Sequence, residues 1–440
     1  MIRRIASFIQ QHHLLASDDL HLVALSGGAD SVALLLVLLD LGYRVEAVHC
    51  NFHLRGAESD RDEEFVKQLC AQKDIELHLI HFDTKEYAAL HKVSIEMAAR
   101  ELRYRYFDRL RKDIGATTVC VAHHQDDAVE TLLMNLMKGT GLRGLTGIRP
   151  VNGSVVRPLL CVNREEIERY LQAKRQAYVV DSTNLQPDVL RNKIRLQLIP
   201  LMEQILPNSS RNISKTSIFV SEAEKVFDNS MKSQIFSAVK VGKDNRSQSV
   251  MIAALRELPS AESFLHEWLQ PYGFNSAQES QILTHSIGDS GKVFYSPTHA
   301  LLIDRDQLIL EPIQPALKTL KIPETGCYAY TDDIHLKIEL ENAVIISKSD
   351  TCITVDAEKV QMPLTLRPVV SGDRFSPLGM KGQKLVSDFM TDLKLNLFEK
   401  HRQLVLADAT DRIVWLVGRR IDNSVKITPQ SKAVYRIAIC

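Results

Sequence analysis

The residues best suited to chemistry form a short loop between an apolar run and a helical pattern: Ser26, Gly27, Gly28, Ala29, Asp30 and Ser31. Neighbouring glycines expose backbone N–H groups, the start of a helix adds positive potential, and the serine hydroxyls add donors, so such a loop binds phosphate or pyrophosphate. Asp30 fits an anion site only beside a cation such as Mg²⁺, which makes Asp30 the expected metal ligand. A plain tight turn requires neither the two serines nor the aspartate.

Polar side chains also follow two other apolar runs. They are His49, Asn51, His53 and Arg55 in the first group, and His123, Asp126, Asp127, Glu130 and Thr131 in the second. Because open parallel sheets bind ligands beyond the carboxyl ends of their strands, we expect both groups near the phosphate loop. Helix capping explains one aspartate alone but not the whole second group, and a zinc site there has no evident third ligand.

Basic residues recur further along the chain. With their polar neighbours they are Arg100, Arg103 and Tyr104, then Arg143, then Arg191, Asn192 and Arg195. The last group suits phosphates or a splayed nucleobase. A solvated helix face remains the alternative for the first group, and an ordinary basic helix start for the last. A further polar motif, Asp-Ser-Thr-Asn, occupies residues 181–184.

The composition is that of an ordinary globular chain, with 440 residues, of which 45% are hydrophobic and 25% charged. These values exclude disorder, collagen and coiled coil. Lys and Arg total 54, as do Asp and Glu, so only local basic patches could attract a nucleic acid. Seven cysteines form no Cys-x-x-Cys pair, which argues against a zinc ribbon or an iron–sulfur clamp. Without a signal-peptide pattern or a long apolar run, we expect a soluble, cytoplasmic protein.

Short apolar runs alternate with helical patterns over about the first 200 residues. This alternation predicts an α/β fold with a doubly wound, mostly parallel sheet. One helix is expected to start at Ser59 with Asp62 as a weak capping box, and another to be capped by Asn163 with Glu166. The following segment is mostly helical, and strands return after Ala300. Residues 367–402 hold seven Lys or Arg against four Asp or Glu. We predict a catalytic domain over 1–210, a mainly helical middle domain with some strands over 211–360, and a small basic α+β domain over 361–440.

Several of these motifs together point to a known family. The phosphate loop matches the SGGxDS motif of the PP-loop, or N-type, ATP pyrophosphatases, which cleave ATP between the α and β phosphates. It is joined by an Asn-His-Arg strand end, Ala-Arg-x-x-Arg-Tyr, His-His-x-x-Asp-x-x-Glu-Thr, Arg-Gly-x-x-Gly, Arg-Pro-Leu-Leu, Asp-x-x-Asn and Arg-Asn-x-Ile-Arg. In order and spacing, residues 21–200 resemble the tRNA(Ile)-lysidine synthetase family, and residues 372–420 resemble the C-terminal module of its longer members.

The resemblance implies a ligase that modifies the wobble cytidine of the CAU-anticodon isoleucine tRNA. ATP adenylates the C2 carbonyl oxygen of that base, and the lysine ε-amine then expels AMP to give lysidine, which changes the codon read from AUG to AUA. The implied cofactors are ATP and Mg²⁺. The implied partners are the tRNA and L-lysine, with a homodimer as a further expectation and no membrane.

The resemblance also implies roles for individual residues. Asp30, Asp126, Asp127 and Arg100 are the expected catalytic residues, and the loop from Ser26 to Ser31 binds ATP. Asp126 or Asp127 would take a proton from the lysine amine, and Glu130 would select a cationic amino acid. The residues expected to contact lysine or tRNA are His49, Asn51, His53, Arg55, Arg103, Tyr104, His123, Glu130, Thr131, Arg143, Arg191, Asn192 and Arg195.

Three alternatives stay open. A PP-loop tRNA thiolase would activate the same C2 position, and Cys50 and Cys120 near strand ends keep it possible although paired cysteines are missing. A small-molecule amidating synthetase would normally carry an ammonia-generating domain, of which no pattern is evident. A catalytically silent tRNA-binding protein would not need the intact phosphate loop or the acidic run after His123.

Overall fold

The computed structural model describes residues 1–180, 190–242, 245–286, 288–332, 334–342, 347, 349, 351–380 and 382–439, so the polar motif at 181–184 lies outside the described residues. The chain divides into two compact units, Met1–Asp228 and Asn229–Cys440. Within the described ranges, no helix has both the length and the apolar character required to cross a membrane.

The first unit contains a six-stranded sheet. Its strands are β1 (Leu20–Ala24), β2 (Arg44–Asn51), β3 (Leu77–His81), β4 (Thr118–Cys120), β5 (Val151–Asn152) and β6 (Val155–Val156). The strand order is β3-β2-β1-β4-β6-β5, and every pair is parallel except β5 with β6. The predicted α/β fold with a mostly parallel sheet is confirmed. The strand order reverses between β1 and β4, which is where open sheets of this kind bind ligands.

Helices connect and cover these strands. They are α1 (Ile2–Gln11), α2 (Ala29–Asp40), α3 (Ala57–Lys73), α4 (Thr84–His91), α5 (Ile95–Asp113), α6 (Gln125–Lys138), α7 (Leu142–Leu145), α8 (Arg164–Ala173), α9 (Leu190–Lys193), α10 (Ile199–Ile205) and α11 (Ser209–Ala238). A π-helical turn, Ile194–Leu198, joins α9 to α10. α2 is apolar around its whole circumference because it lies in the centre of the core, where Val32–Leu38 are buried.

Local sequence signals located some helix starts and missed others. Asn163 and Glu166 form a capping box at the start of α8, with reciprocal hydrogen bonds of 3.0 and 3.1 Å. The predicted start of α3 at Ser59 was wrong, because the helix begins at Ala57. Ser59 accepts a hydrogen bond from the backbone N–H of Arg55, and Asp62 pairs with arginine side chains instead of completing a capping box.

The second unit begins with an antiparallel sheet. Its strands are β7 (Lys240–Val241), β8 (Gln248–Met251), β9 (Val293–Tyr295), β10 (His299–Asp304) and β11 (Gln307–Pro312), with α12 (Ile252–Glu257), α13 (Ala261–Leu269) and α14 (Ser276–His285) inserted after β8. The strand order is β7-β8-β11-β10-β9. The expectation that strands return only after Ala300 was wrong, because β7, β8 and β9 are two to four residues long and too short to show a period.

Further antiparallel sheets complete this unit. Their strands are β12 (Leu320–Ile322), β13 (Gly326–Thr331), β14 (Ile334–Glu341), β15 (Cys352–Asp356), β16 (Leu364–Pro368), β17 (Arg374–Phe375), β18 (Lys384–Leu385), β19 (Leu404–Ala407), β20 (Ile413–Leu416), β21 (Arg420–Ile421) and β22 (Val434–Ile439), with α15 (Val386–Asp392) and α16 (Leu397–Arg402). The two larger sheets have the orders β12-β16-β19-β20-β21 and β13-β14-β22-β15.

The predicted domain boundaries at 210 and 360 stay predictions. α11 runs continuously across position 210. β12 pairs with β16, and β14 pairs with β22, so residues from both sides of 360 share two sheets. We therefore propose that the third domain begins earlier than predicted, between Pro312 and Leu320.

Candidate active site

The predicted phosphate loop leaves β1 and enters α2 at the carboxyl edge of the sheet. Gly27 has a φ of +90°, a backbone conformation that residues with a Cβ adopt only with strain. The Ser31 hydroxyl accepts a hydrogen bond from the backbone N–H of Ser26 at 3.2 Å and donates to the carbonyl of Gly28 at 2.9 Å. Ser31 thus closes the loop, and the N-terminus of α2 offers backbone N–H groups to an anion.

Two cavities share this loop. The first has a volume of about 270 Å³ and is lined by apolar side chains such as Val48 and Phe52 together with Arg100 and Tyr104. The second has a volume of about 180 Å³, and its lining includes Arg55 and Arg164. The apolar walls of the first cavity suit a nucleoside, whereas the arginines of the second suit phosphate groups.

Asp30 lies between Arg164 and His124, which belong to two other elements. Arg164, the first residue of α8, donates a hydrogen bond of 2.7 Å to Asp30 Oδ2, and His124 Nε2 lies 3.8 Å from Oδ1. Oδ1 is buried and accepts no hydrogen bond from the described residues. Burial raises the pKa of Asp30 above its ordinary value, and the charges of His124 and Arg164 oppose that rise without cancelling it. The loop therefore contains one carboxylate oxygen with unused acceptor capacity.

The acidic face of α6 is neutralised by two arginines. Glu130, which is 1% exposed, accepts hydrogen bonds of 2.6 Å from both Arg191 and Arg195. Asp127 accepts one of 2.7 Å from Arg191 and another of 2.9 Å from the backbone N–H of His124. Burial would raise the pKa of Asp127, but the charges of His124 and Arg191 outweigh burial and hold the pKa below its ordinary value. These contacts favour a positioning role for both carboxylates, rather than a direct role on lysine.

Asp126 has a different environment. Its Oδ2 accepts a hydrogen bond of 2.8 Å from the backbone N–H of Arg164 and lies 3.5 Å from His124 Nδ1. Its side chain is 35% exposed, against 12% for Asp127. Asp126 is thus the more accessible of the two predicted proton acceptors.

The polar group expected after the second strand begins inside it, because β2 continues to Asn51 and so includes His49 and Asn51. The group divides into buried and exposed members. His49 Nδ1 bonds to the carbonyl of Leu25 at 2.8 Å, and burial lowers the pKa of His49 although that bond opposes the shift. Asn51 is buried and donates to Glu63 at 2.8 Å. His53, by contrast, is exposed and stacks on the His81 ring at a centroid distance of 5.0 Å. Arg55 pairs with Asp62 beside the second cavity.

Basic side chains of α5 line the first cavity. Arg100 lies over the ring of Tyr104, and Arg103 lies over the ring of Phe52, each at 5.1 Å from the ring centroid. His123 also lines this cavity. Burial is the largest cause that lowers the pKa of His123 to about 4, so its ring is neutral near pH 7.

Two predicted contact residues, Arg143 and Thr131, contact other parts of the first unit. Arg143, on α7, lies 3.2 Å from Asp228 and 3.9 Å from Glu224, both on α11. Thr131 donates to the backbone carbonyl of Asp127 within α6 at 2.8 Å. Asn192 lies on α9 between the two arginines that hold Glu130. These positions assign Arg143 and Thr131 to the support of α7 and α6, away from the two cavities.

Sequence reasoning gave no role to Arg164 or Arg157. Arg164 follows the capping residue Asn163 and is therefore in the first turn of its helix. A basic residue in this position is unfavourable with the helix dipole unless an acidic group lies nearby. The sequence position of Arg164 was thus a signal that an acidic partner was to be expected. Arg157 was noted only as part of Arg-Pro-Leu-Leu, yet it is 6% exposed and contacts His123.

The thiols at the strand ends lie in apolar surroundings. Burial raises the pKa of Cys50 and of Cys120 to about 12 in each case. Thiolates are therefore scarce at neutral pH, and a thiolate is the form that sulfur chemistry requires. This environment disfavours the thiolase alternative.

Comparison with known proteins extends these observations. A family model described as the PP-loop domain matches residues 1–202, and one described as the TilS substrate binding domain matches residues 243–313. A tRNA(Ile)-lysidine synthase of Bacteroides thetaiotaomicron is 45% identical over 98% of each chain. One of Porphyromonas gingivalis strain W83 is 36% identical over 97% of this chain and 96% of its own. The U34-tRNA thiolase NcsA from Methanococcus maripaludis, a solved structure with its [4Fe-4S] cluster, aligns with a TM-score of 0.42 and 18% identity over 50% of this chain and 77% of its own.

Proposed function

Because this chain belongs to the tRNA(Ile)-lysidine synthase family, we propose that it joins lysine to the wobble cytidine of the CAU-anticodon isoleucine tRNA. The C2 carbonyl oxygen of the cytidine attacks the α-phosphorus of ATP, and pyrophosphate leaves. The ε-amine of lysine then attacks C2, the C2–O bond breaks, AMP leaves and the nitrogen loses its proton. The enzyme is thus an ATP-dependent ligase that forms a carbon–nitrogen bond, and its product reads AUA in place of AUG.

The observation that carries this proposal is the phosphate loop between two cavities of different character. We assign the adenosine of ATP to the first cavity, where apolar walls exclude water from the base. The triphosphate would then cross the loop between Ser26 and Ser31, and its β and γ phosphates would reach the second cavity with Arg55 and Arg164. Donors fixed in place before reaction stabilise charge that develops on a leaving group without reorganising.

Mg²⁺ fits the residues at this loop. Within the described residues, no group of three or more His, Cys, Asp or Glu side chains is arranged to hold a metal. Mg²⁺ commonly uses one or two carboxylates together with substrate phosphates, and Asp30 Oδ1 is a buried oxygen without a hydrogen-bond donor among those residues. We propose Asp30 as the protein ligand. When bound, the ion would neutralise part of the charge on the pyrophosphate.

Lysine would bind where α6 meets the arginines of α9 and the following turn. Arg191 and Arg195 are each 35% exposed, so the guanidinium N–H groups that Glu130 and Asp127 do not occupy can hold the α-carboxylate of lysine. Asp126 is the acceptor that we propose for the amine proton, because Asp127 and Glu130 are already neutralised by arginines. A free amine is required for the attack, since a protonated lysine is a poor nucleophile.

We propose that the second unit also contacts the tRNA. Residues 243–313 match the substrate binding domain of the family, and residues 367–402 carry the local basic excess. A loop nucleobase is already partly unstacked, so moving it into the active site costs only a few kcal/mol. The preference for a CAU anticodon, a homodimeric state and a cytoplasmic location remain predictions.

One experiment tests the proposed function. Purified protein is incubated with radiolabelled lysine, ATP and a CAU-anticodon isoleucine tRNA transcript, and RNA-bound label and AMP are measured together. We expect equal amounts of the two products, and none with a transcript that has uridine at the wobble position. Asp30→Ala should abolish both products, whereas Asp40→Ala, at the other end of α2, should not. Label transfer without ATP, or no transfer by the wild-type protein, would refute the proposal.

A further inference from the structure

Arg157 is a buried arginine whose partners include a histidine ring. Its side chain donates from Nη1 to the carbonyl of Arg149 at 2.8 Å and from Nε to His123 Nδ1 at 3.3 Å. A guanidinium group can only donate hydrogen bonds, so Nδ1 of His123 must supply a lone pair. In a neutral imidazole the single proton is then on Nε2.

The charges around His123 keep that ring neutral. Burial lowers its pKa most, Arg157, Arg191 and Arg100 lower it further, and Asp127 alone among the main neighbours raises it. With a pKa of about 4, the ring carries one proton throughout the pH range in which tRNA enzymes are assayed. His123 is therefore a fixed hydrogen-bond donor rather than an acid–base group.

The two ring nitrogens face different surroundings. Nδ1 faces Arg157, whereas the ring as a whole lines the first cavity together with Ser26 and Asp30 of the phosphate loop. Nε2 makes no hydrogen bond to any residue in the described part of the chain. A neutral N–H beside a phosphate loop is suited to an oxygen that gains negative charge during phosphoryl transfer.

We propose that Arg157 is a positioning residue that fixes His123 as the Nε2–H tautomer, and that His123 donates this N–H to an α-phosphoryl oxygen of ATP during adenylation. The inference rests on the proposed function, because it assumes that ATP occupies the first cavity. During the step the cytidine oxygen bonds to the α-phosphorus, the bond from that phosphorus to the pyrophosphate oxygen breaks, and the imidazole neither gains nor loses a proton.

Nuclear magnetic resonance of protein labelled with ¹⁵N-histidine tests the tautomer without any turnover. The His123 signal is assigned by its loss in His123→Gln, and His78, which bonds to Glu46, provides a matched control through His78→Gln. We expect the Nε2–H pattern for His123 from about pH 5.5 to 8.5. Arg157→Met should produce a mixture of tautomers. An Nδ1–H or doubly protonated ring in the wild-type protein would overturn the proposal, as would an unchanged tautomer in Arg157→Met.

Binding and kinetics test the second half of the proposal. Addition of α,β-methylene-ATP with Mg²⁺ should move the His123 Nε2–H signal downfield and leave His78 unchanged. His123→Leu should lower kcat for AMP formation about 10²-fold, whereas His123→Gln, which keeps a neutral donor, should recover to within about tenfold of wild type. Equal losses in the two variants, or a loss below about threefold in His123→Leu, would overturn the assignment.

Failure of the inference and failure of the proposed function are distinguishable. If the wild-type protein makes no lysidine, the proposed function fails, and the tautomer can still be measured in the free protein. The inference alone fails if the wild-type protein is active but His123 is not the Nε2–H tautomer. It also fails alone if the protein is active but His123→Leu and His123→Gln do not show the expected difference in kcat. If His123→Leu does not fold, the proposal is tested by the shift of the His123 signal on addition of the ATP analogue and by the spectrum of Arg157→Met.

Discussion

Arg164 and Asp30 are 134 positions apart in the sequence, yet the guanidinium of Arg164 donates a hydrogen bond of 2.7 Å to Asp30. The backbone N–H of the same residue donates to Asp126 at 2.8 Å. One residue at the start of α8 thus contacts a carboxylate that follows β1 and another that follows β4. Because its side chain also lines the smaller cavity, Arg164 lies where it can hold Asp30 before ATP binds and contact the phosphates afterwards.

Replacement of Arg164 by methionine should raise the KM for ATP about tenfold, which corresponds to the loss of one charge-assisted hydrogen bond. The measurement is the rate of AMP formation at saturating lysine and tRNA, as ATP is varied. Arg169→Met is the control, because Arg169 lies on the same helix and forms an exposed ion pair with Glu165. Equal KM values for ATP in the two variants would contradict a phosphate-binding role for Arg164.

Replacement of Glu130 by glutamine should destabilise the first unit. The change leaves two arginines beside a buried neutral side chain, which is costly even though each arginine is 35% exposed. We expect the free energy of unfolding in urea to fall by about 2–3 kcal/mol. Glu165→Gln, at a side chain that is 75% exposed, should change it by less than about 0.5 kcal/mol. A loss no larger than in that control would show that the network contributes little.

The stability of an Asp30→Asn variant should depend on pH in a definite direction. The folded protein raises the pKa of Asp30, so the charged carboxylate destabilises the fold above that pKa and has no such effect below the unfolded value. The melting temperature of the variant relative to wild type should therefore rise between pH 4 and pH 7, at the expense of activity.

Asp40 provides the control of opposite sign. Burial raises its pKa, but hydrogen bonds from Lys174 and Tyr170 outweigh burial and lower it overall. Its carboxylate therefore stabilises the fold above the unfolded pKa and loses that effect as the pH falls through the folded pKa. The melting temperature of Asp40→Asn relative to wild type should therefore fall as the pH rises from about 2 to about 5, a lower range than the one for Asp30. A shift in the same direction for both variants would contradict the assignment for Asp30.

The phosphate loop and the parallel sheet could be predicted because their signals are local. Glycines, serines and a helix start follow one another at Ser26–Ser31, and each long strand forms an apolar run of its own. The capping box at Asn163 depends on residues three apart, so the sequence locates it as well. Short strands such as β7 and β8 were not predicted, because two to four residues are too few to show a repeating pattern of apolar and polar side chains.

The pairing of charges could not be predicted, because it depends on residues that meet only in the folded chain. Glu130 is separated from Arg195 by 65 positions, and nothing in either local pattern shows that the two neutralise each other. The same holds for Arg157 and His123, which are 34 positions apart. Sequence motifs indicate the groups that we propose for the active site, whereas the roles of these groups depend on distant contacts of this kind.

Neutralising exposed basic residues of the second unit should weaken tRNA binding without changing the chemistry. Deleting residues after about 360 is a poorer test, because it removes β16 and β22 from sheets that they share with β12 and β14. In place of deletion, Arg374→Gln and Lys394→Gln remove two exposed charges from the basic stretch. If each contacts one phosphate, the double variant should raise the KM for tRNA, leave kcat within about twofold, and reduce the slope of log K against log salt by roughly one per charge.

Lys73→Gln, at an exposed position of the first unit, is the matched control. A salt slope that stays unchanged in the double variant would mean that this stretch does not contact the tRNA, and the basic excess of the C-terminal residues would then have no part in substrate binding.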